Sequence, residues 1–221
     1  MENPTHFPMS NLALFLHDPE CSIDCCNGII MALEPEHTIQ TFSEEEIDKE
    51  FLSKFDMVIF PGGIGDASSF DQFFRYKQQR AIHDYLDKGG KYLGICMGAY
   101  WAGEYYFDIL GDVEVVQYIK RPNADIKRSY GTVASITWKG VLEEMFFYDG
   151  CALIGGETNK VALYSNGDPM AIIKGNVGVI GCHPESLPYW YCDPYKYLEL
   201  KWHDYRHHVL LKQFVNELLR G

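Results

Sequence analysis

A cysteine between two glycines, directly after an apolar run, is the first feature of this sequence that could do chemistry. Cys96 lies in the segment GICMG, residues 94–98. This spacing is typical of a nucleophile elbow, a tight turn from a strand into a helix. The turn leaves no room for side chains at Gly94 and Gly98, and it places Cys96 at a helix N-terminus, where a thiolate is favoured. The segment therefore predicts a cysteine nucleophile, although close packing around a buried cysteine would require the same glycines.

A histidine and a glutamate two residues apart could serve this cysteine. His183 and Glu185 follow the apolar run VGVIG and are separated by Pro184. The proline disfavours helical geometry at His183, and in an extended chain residues i and i+2 project to the same side. Glu185 could then orient the His183 ring while the ring accepts the thiol proton of Cys96. The two motifs together predict a nucleophile, a base and an orienting carboxylate.

A glycine pair at a second strand end could form part of an oxyanion site. The apolar run MVIF is stopped by a proline and then by Gly62 and Gly63. In an open α/β sheet, ligands bind beyond the carboxyl ends of the strands. We expect the N–H of Met97 and an N–H of the glycine pair to face a developing negative charge on a carbonyl oxygen. Gly98 and Tyr100 complete the expected substrate-binding region.

The first half of the chain alternates between strand and helix patterns, which would position these residues. Strands are predicted for four short apolar or alternating runs, at residues 11–18, 37–43, 56–63 and 91–96. Helical spacing predicts helices at residues 21–34, 43–55, 68–90 and 97–107. The second of these helices would begin with a capping box of Ser43 and Glu46. Such alternation implies a mostly parallel sheet covered on both faces.

The second half of the chain has a different residue pattern. After Gly111 it consists of short β-type runs separated by turn residues, which could extend the sheet or form an antiparallel flap. Residues 207–221 return to helical spacing. Residues 186–202 are rich in Tyr and Trp, which favours a wall of the site or an interface with a protein partner. Packing of an irregular tail onto the domain is the simpler alternative.

Composition excludes several classes of partner. The chain has 221 residues and a net charge of −12, which argues against nucleic acid or an anionic membrane surface as a partner. No apolar run approaches the roughly 18 residues that span a bilayer. The basic residues between 120 and 128 are expected to be a solvated loop. The N-terminus lacks a signal-peptide pattern, so we expect a cytoplasmic protein whose seven cysteines are reduced.

No metal or cofactor is expected from the spacing of the remaining motifs. Clusters of potential ligands exist, but they lack a C-x-x-C or H-E-x-x-H pattern; these are Cys21, Cys25 and Cys26, and His203 and His207. The segment GNVGVIG precedes no helix start, so a nucleotide site is not expected either. Cys182 could be a resolving thiol for an oxidised Cys96, or simply a buried strand residue.

The motifs PGG, GICMG and HPE together resemble those of class I glutamine amidotransferases. Within that superfamily, residues 10–187 are most similar to the amidotransferase-like N-terminal domain of eukaryotic-type biotin–protein ligases. The resemblance implies a single domain over residues 1–221, with a tail at 188–221. Its fold would be a flavodoxin-like three-layer α/β sandwich with a mostly parallel central sheet and an added β-rich segment. It also implies Cys96 as nucleophile, His183 as base, Glu185 as its partner, and an oxyanion region at Gly62, Gly63 and Met97.

One departure from the superfamily pattern bears on the substrate. Glutamine-using members usually carry Gln where this chain has Tyr100. The expected function is therefore that of a cysteine-dependent amidohydrolase or amidotransferase-like enzyme, acting on a small-molecule or peptide amide other than free glutamine. The alternatives are a catalytically inactive binding or regulatory module of the same fold, and a redox sensor based on Cys96.

Overall fold

A nine-stranded sheet forms the centre of the structure, a computed structural model that describes residues 9–221. The order of its strands is β2-β1-β3-β4-β11-β10-β9-β6-β7, and β5 and β8 pair in a separate sheet. The strands are β1 (Asn11–Phe15), β2 (Thr38–Phe42), β3 (Met57–Phe60), β4 (Lys91–Ile95), β5 (Glu114–Gln117), β6 (Thr132–Trp138), β7 (Val141–Phe147), β8 (Cys151–Ile154), β9 (Asn159–Tyr164), β10 (Pro169–Lys174) and β11 (Val177–Ile180).

The first five strands of the sheet, β2-β1-β3-β4-β11, are parallel. This is the flavodoxin-like strand order, in which the ligand site lies at the carboxyl ends of the strands. Phe60 is in register with Gly94, and Ile95 with Ile180, so the loops after β3, β4 and β11 leave the sheet side by side. The predicted fold class is confirmed, and the later β-rich segment extends the sheet with antiparallel strands.

Six α-helices accompany the strands within the described residues. They are α1 (Ile23–Leu33), α2 (Lys49–Leu52), α3 (Ala67–Phe73), α4 (Tyr76–Asp87), α5 (Met97–Trp101) and α6 (Arg206–Arg220). Helices α1 and α6 pack against each other, as do α2 and α4, while α5 packs on β3 and β4. None of these helices has the length and apolar character needed to cross a membrane. Among them, α1 and α5 begin at the carboxyl edge of the parallel strands.

The helix predicted over residues 43–55 is two shorter elements. Ser43 and Glu46 do form a capping box, but it caps a 3-10 turn, Glu44–Glu46, rather than a long helix. Ile47 is extended, and the Asp48 carboxylate accepts the N–H of Phe51 at 2.8 Å to start α2. The side chain of Asp48 thus competes with a continuous helical backbone, which is a common effect of Asp inside a helical pattern.

The helix predicted over residues 68–90 is also divided. It breaks at Phe74, whose φ of −119° and ψ of 80° end α3. The Gln79 side-chain amide donates to the Phe74 carbonyl at 2.6 Å and so supplies a hydrogen bond at the break. Phe74 is fully buried and packs on Phe15 and Trp101. The prediction that this segment is helical was therefore correct. The break at Phe74, which the Gln79 hydrogen bond stabilises, was not predicted.

Candidate active site

The turn between β4 and α5 has the geometry of a nucleophile elbow. Cys96 is the residue before α5 and has a φ of 51° and a ψ of −102°, a strained conformation for a residue with a side chain. A Cβ atom at Gly94 would overlap the Gly98 carbonyl, and one at Gly98 would overlap the Phe60 carbonyl. The Cys96 N–H donates to the Ile180 carbonyl at 2.8 Å. The glycines are thus required by close backbone contacts, and the turn is held by the neighbouring strand.

The Cys96 side chain is nearly buried at the floor of a cavity of about 270 Å³. Its thiol lies 3.4 Å from the Tyr148 carbonyl, in a position to donate a hydrogen bond. His183 lines the same cavity. The structure therefore brings together the two side chains that come from GICMG and HPE, which lie far apart in the sequence.

His183 is held by Glu185 on the side of its ring that bears Nδ1. The Nδ1 atom lies 2.5 Å from Glu185 Oε1, and both side chains are buried. Burial alone lowers the pKa of His183, but the Glu185 carboxylate, with Cys96 and Cys25, raises this pKa well above its ordinary value. Since Nδ1 is occupied by Glu185, Nε2 is the ring nitrogen left for a reacting group. The charged imidazolium is the favoured form at neutral pH.

A second thiol, Cys25, also faces His183. It lies on the first turn of α1 and lines the cavity. A Cβ atom added to Gly62 would lie 2.7 Å from His183 Cε1 and 2.9 Å from Cys25 Sγ. Gly62, Cys25 and His183 are therefore close neighbours. Burial raises the pKa of Cys25 to about 11, although His183 acts in the opposite direction. Sequence reasoning did not place Cys25 beside His183; its position after the first strand, at a helix start, was the available signal.

Cys25, His183 and Glu185 also have the donor chemistry of a metal site. One ligand atom from each lies within 4.8 Å of the others. Thiolate, imidazole and carboxylate are the ligand types that zinc prefers. The predicted ligand clusters did not include this combination, because it joins residues that are distant in the sequence.

The candidate oxyanion donors differ in their availability. The Gly98 N–H is engaged, since it donates to the Pro61 carbonyl at 3.2 Å. Within residues 9–221, neither the Gly63 nor the Met97 N–H donates to a backbone carbonyl. Gly63 lines the cavity, and Gly62 packs against the His183 ring. The free N–H groups of Gly63 and Met97 are therefore the candidate donors, while Gly98 serves close packing.

Two residues next to the motifs face away from the cavity. The Tyr100 hydroxyl donates to the Asp149 carbonyl at 2.8 Å, and Tyr100 lines a separate depression of about 210 Å³. Cys182 is fully buried, and its thiol lies 3.9 Å from the Tyr164 hydroxyl. Burial raises the pKa of Cys182 to about 12. Of the six thiols other than Cys96, Cys25 rather than Cys182 shares the cavity.

The aromatic tail forms one wall of the cavity. Tyr189, Trp190 and Tyr195 line it, together with Phe146 and Tyr148 from the end of β7 and the loop that follows. The His183 and Trp190 rings are 5.6 Å apart between centroids. A larger cavity of about 480 Å³ lies at the opposite edge of the sheet and contains none of the predicted site residues. The chemistry-bearing side chains thus gather at the carboxyl edge, as the fold requires.

Comparison with known proteins supports the fold that carries this site. Residues 18–118 match the family described as "Biotin-protein ligase, N terminal". A glutamine amidotransferase from Thermotoga maritima superposes with a TM-score of 0.69 at 14% identity, over 97% of this chain and 100% of that chain. The chain has the class I glutamine amidotransferase fold. The resemblance seen in the three motifs is confirmed, although no curated protein sequence matches the chain.

Other structures with the same fold carry different activities in their names. A putative GMP synthase protein from Thermoplasma acidophilum matches with a TM-score of 0.53 at 15% identity, over 98% of this chain and 100% of that chain. A β-galactosidase from the psychrophilic Marinomonas ef1 matches with a TM-score of 0.52 at 12% identity, over 96% of this chain but 29% of that chain. The fold alone therefore does not assign amide chemistry, and a function has to be inferred from the site.

Proposed function

We propose that this class I amidotransferase-like chain is a cysteine-dependent amidohydrolase or amidotransferase-like enzyme. Cys96 would be the nucleophile and His183 the acid and base. Glu185 would orient the His183 ring and stabilise its protonated form. The observation that carries the proposal is one cavity that contains the strained Cys96 and a His183 paired with a buried carboxylate at 2.5 Å. This is the arrangement that nucleophilic catalysis by cysteine requires.

The reaction would proceed through a thioester. The Cys96 thiolate attacks the amide carbonyl carbon, and the oxygen, now negative, is held by the N–H groups of Gly63 and Met97. His183 gives its Nε2 proton to the amide nitrogen, the C–N bond breaks, and the amine leaves. His183 then takes a proton from water or from an acceptor amine, which attacks the thioester and releases Cys96. Glu185 accepts the hydrogen bond from Nδ1–H throughout and so holds the His183 ring in place.

The substrate would be an amide other than free glutamine. Tyr100 stands where glutamine-using members usually have Gln, and its hydroxyl is engaged with Asp149. The residues that line the cavity include neither Lys nor Arg. A free amino acid would bring a carboxylate into this cavity without a fixed cation to pair with it, which is costly when the group is desolvated. A small molecule or peptide without that carboxylate is the better fit.

The second candidate function is a catalytically inactive binding module. Cys96 is 7% exposed and His183 4%, so the aromatic tail restricts access to both side chains. The same tail exposes Tyr197 and Leu200, which would suit a protein partner. In this case the motifs would preserve the fold of the pocket, and Cys96 would behave as an ordinary buried thiol.

The reactivity of Cys96 distinguishes these two functions. The thiols are labelled with iodoacetamide at pH 7 in the presence of EDTA, so that a bound metal ion does not mask them, and each cysteine is quantified by peptide mass spectrometry. The exposed Cys192 provides the rate of an ordinary thiol. We expect Cys96 to be labelled faster than Cys192. His183→Ala should reduce the Cys96 rate at least tenfold, about the loss expected when the thiolate loses its cation, and should reduce amide turnover by about 10²–10⁴.

His17→Ala is the matched control, because His17 is partly exposed and lies outside the cavity. It should leave Cys96 labelling unchanged. If Cys96 is labelled no faster than the other six cysteines, and His183→Ala has no effect on its rate, the enzyme proposal fails and the binding module stands.

A further inference from the structure

The charges around the Cys96 cavity indicate which amides it would accept. Two carboxylates line the cavity, Asp24 from the first turn of α1 and Asp193 from the aromatic tail. No lysine or arginine is among the lining residues. Among the described residues that line the cavity, the cationic group is His183, which is already paired with Glu185 at 2.5 Å. Asp24 and Asp193 are exposed residues, so their negative charge lies at the open side of the cavity, where a ligand enters.

The aromatic side chains of the cavity suit the same kind of ligand. Phe146 and Trp190 pack edge to face with centroids 5.2 Å apart, and Tyr189 and Tyr195 extend this wall from the tail. An ammonium group near aromatic faces is attracted by their quadrupoles, most strongly for Trp and Tyr. Aromatic rings beside carboxylates are a general means of binding an amine, because they desolvate its carbon chain while the carboxylates balance its charge.

A contact between the two kinds of side chain supports the arrangement. Burial and the neighbouring Asp24 side chain raise the pKa of Tyr189, and both residues line the cavity. The backbone N–H of Asp193 donates to the Tyr189 carbonyl at 3.0 Å. Tyr189 therefore lies at the cavity with Asp24 of α1 and is linked to Asp193 through the backbone of the tail.

We propose that the Cys96 cavity selects amides that carry a cationic amine group, which Asp24, Asp193 and the aromatic wall would bind. This selectivity deepens the proposed function and rests on it, since the ammonium would be bound in the cavity that contains the attacking thiol. Neutral amides would bind more weakly, and amides that carry a carboxylate would be excluded by repulsion from the two aspartates.

Charged thiol reagents test this selectivity without requiring turnover. Three methanethiosulfonates of similar size are compared: the cationic 2-aminoethyl reagent, the neutral propyl reagent and the anionic 2-sulfonatoethyl reagent. In each case the Cys96 thiolate attacks the sulfenyl sulfur, a mixed disulfide forms and methanesulfinate leaves. The rate at Cys96 is measured by peptide mass spectrometry in a Cys192→Ser background and is divided by the rate with free cysteine. This division removes differences in intrinsic reactivity.

We expect the corrected rate to follow the order cationic, neutral, anionic. Replacing both aspartates, Asp24→Asn with Asp193→Asn, should lower the cationic rate and raise the anionic rate, each by about fivefold per carboxylate, as expected for unit charges a few ångströms apart in water. The double control Asp87→Asn with Glu157→Gln removes the same net charge at exposed positions outside the cavity. Tyr189→Leu should lower the cationic rate, whereas Tyr189→Phe should retain it.

The outcomes separate this inference from the proposed function. Equal corrected rates for the three reagents, or an aspartate double variant that behaves like the surface control, would overturn the charge selectivity even if amides are hydrolysed. A clear preference for the cationic reagent, combined with no accelerated iodoacetamide labelling of Cys96, would support a cationic ligand and refute the catalytic step.

Discussion

Two groups of histidines in this protein, His183 at the candidate site and His203 with His207 near the start of α6, have pKa values shifted in opposite directions. At the candidate site, Glu185 raises the pKa of His183 well above its ordinary value despite burial. At the start of α6, burial and the neighbouring histidines and Arg206 lower the pKa of His203 to about 3. Burial also lowers the pKa of His207, even though Glu143 lies 3.0 Å from its Nε2. Both groups are desolvated and both have a carboxylate nearby.

The difference lies in what else the carboxylate contacts. Glu185 is fully buried and pairs with His183. Glu143 pairs with Arg206 through one oxygen and contacts His207 with the other. A guanidinium is permanently charged, so it satisfies Glu143 and leaves His207 neutral. Burial of a histidine beside a carboxylate therefore does not by itself produce a catalytic base. The carboxylate must pair with that histidine and not with a second cation; we call such a group, here Glu185, the committed carboxylate.

The largest expected effect comes from removing the committed carboxylate. Glu185→Gln keeps the size of the side chain but removes the charge that raises the pKa of His183, so burial should then favour neutral imidazole. We expect the iodoacetamide labelling rate of Cys96 at pH 7 to fall about 10–100-fold, and any amide turnover to fall by about 10²–10⁴. Measuring both rates for wild type and variant under the same conditions checks this.

Glu143→Gln is the matched variant in the other histidine group. It should leave Cys96 labelling within about twofold of wild type, while it lowers the free energy of unfolding by roughly 1.5–3 kcal/mol, the usual cost of losing hydrogen bonds to a charged group. If Glu185→Gln labels at the wild-type rate, or if the two variants change labelling equally, the distinction between the two carboxylates is wrong.

Local requirements explain which parts of the site could be predicted from the sequence. The glycines at positions 94 and 98 are demanded by the turn itself, and the pairing of His183 with Glu185 needs no more than two residues of extended chain. Cys25 could not be placed beside His183, because their contact depends on how α1 packs against the loop after β11. The aromatic tail was open to several interpretations for the same reason, since its role as a cavity wall depends on packing between distant segments.

The same distinction holds for the fold. The alternation of strands and helices predicted a mostly parallel sheet, while the flavodoxin-like class was implied by the resemblance of the three motifs to a known superfamily. The division of the predicted helices at Asp48 and Phe74 depends on single side-chain hydrogen bonds that hydrophobic spacing does not reveal. Tyr100 illustrates a further limit: its motif position indicated a substrate contact, but the direction of its side chain is decided by the loop that contains Asp149.

The two histidine groups should affect opposite sides of the curve of stability against pH, His203 on the acid side and His183 on the alkaline side. The pKa of His203 is about 3 in the folded protein, against an ordinary value of 6.5. Unfolded chains therefore bind a proton that the folded protein does not, and stability falls as the pH drops below 6.5, by up to about 1.4 kcal/mol per pH unit for this group. His203→Gln should flatten that acid limb in urea unfolding experiments.

His183 should act on the alkaline side. Its folded pKa is raised, so its contribution to stability is fully present below its ordinary pKa and is lost as the pH rises through the folded value. His183→Gln should flatten the alkaline limb and leave the acid limb unchanged. The assignment of opposite pKa shifts is contradicted if His183→Gln changes the acid limb instead, or if His203→Gln leaves that limb as steep as in wild type.

The smallest expected effect concerns the contact between the two groups. His208, the neighbour of His207 on α6, donates from Nε2 to the carbonyls of Glu185 and Ser186 at 3.1 and 3.0 Å. His208 is thus a positioning residue for the loop that carries Glu185. His208→Phe, which keeps the ring but loses the donor, should reduce Cys96 labelling about two- to fivefold and the free energy of unfolding by about 1 kcal/mol.

A conservative variant makes this last test specific. His208→Gln retains a side-chain N–H that can reach the same carbonyls, so it should restore most of the labelling rate that His208→Phe loses. Equal labelling in both variants would mean that α6 only packs against the site. Restoration by Gln would mean that α6, through the hydrogen bonds of His208 to the Glu185 and Ser186 carbonyls, also holds the committed carboxylate in place.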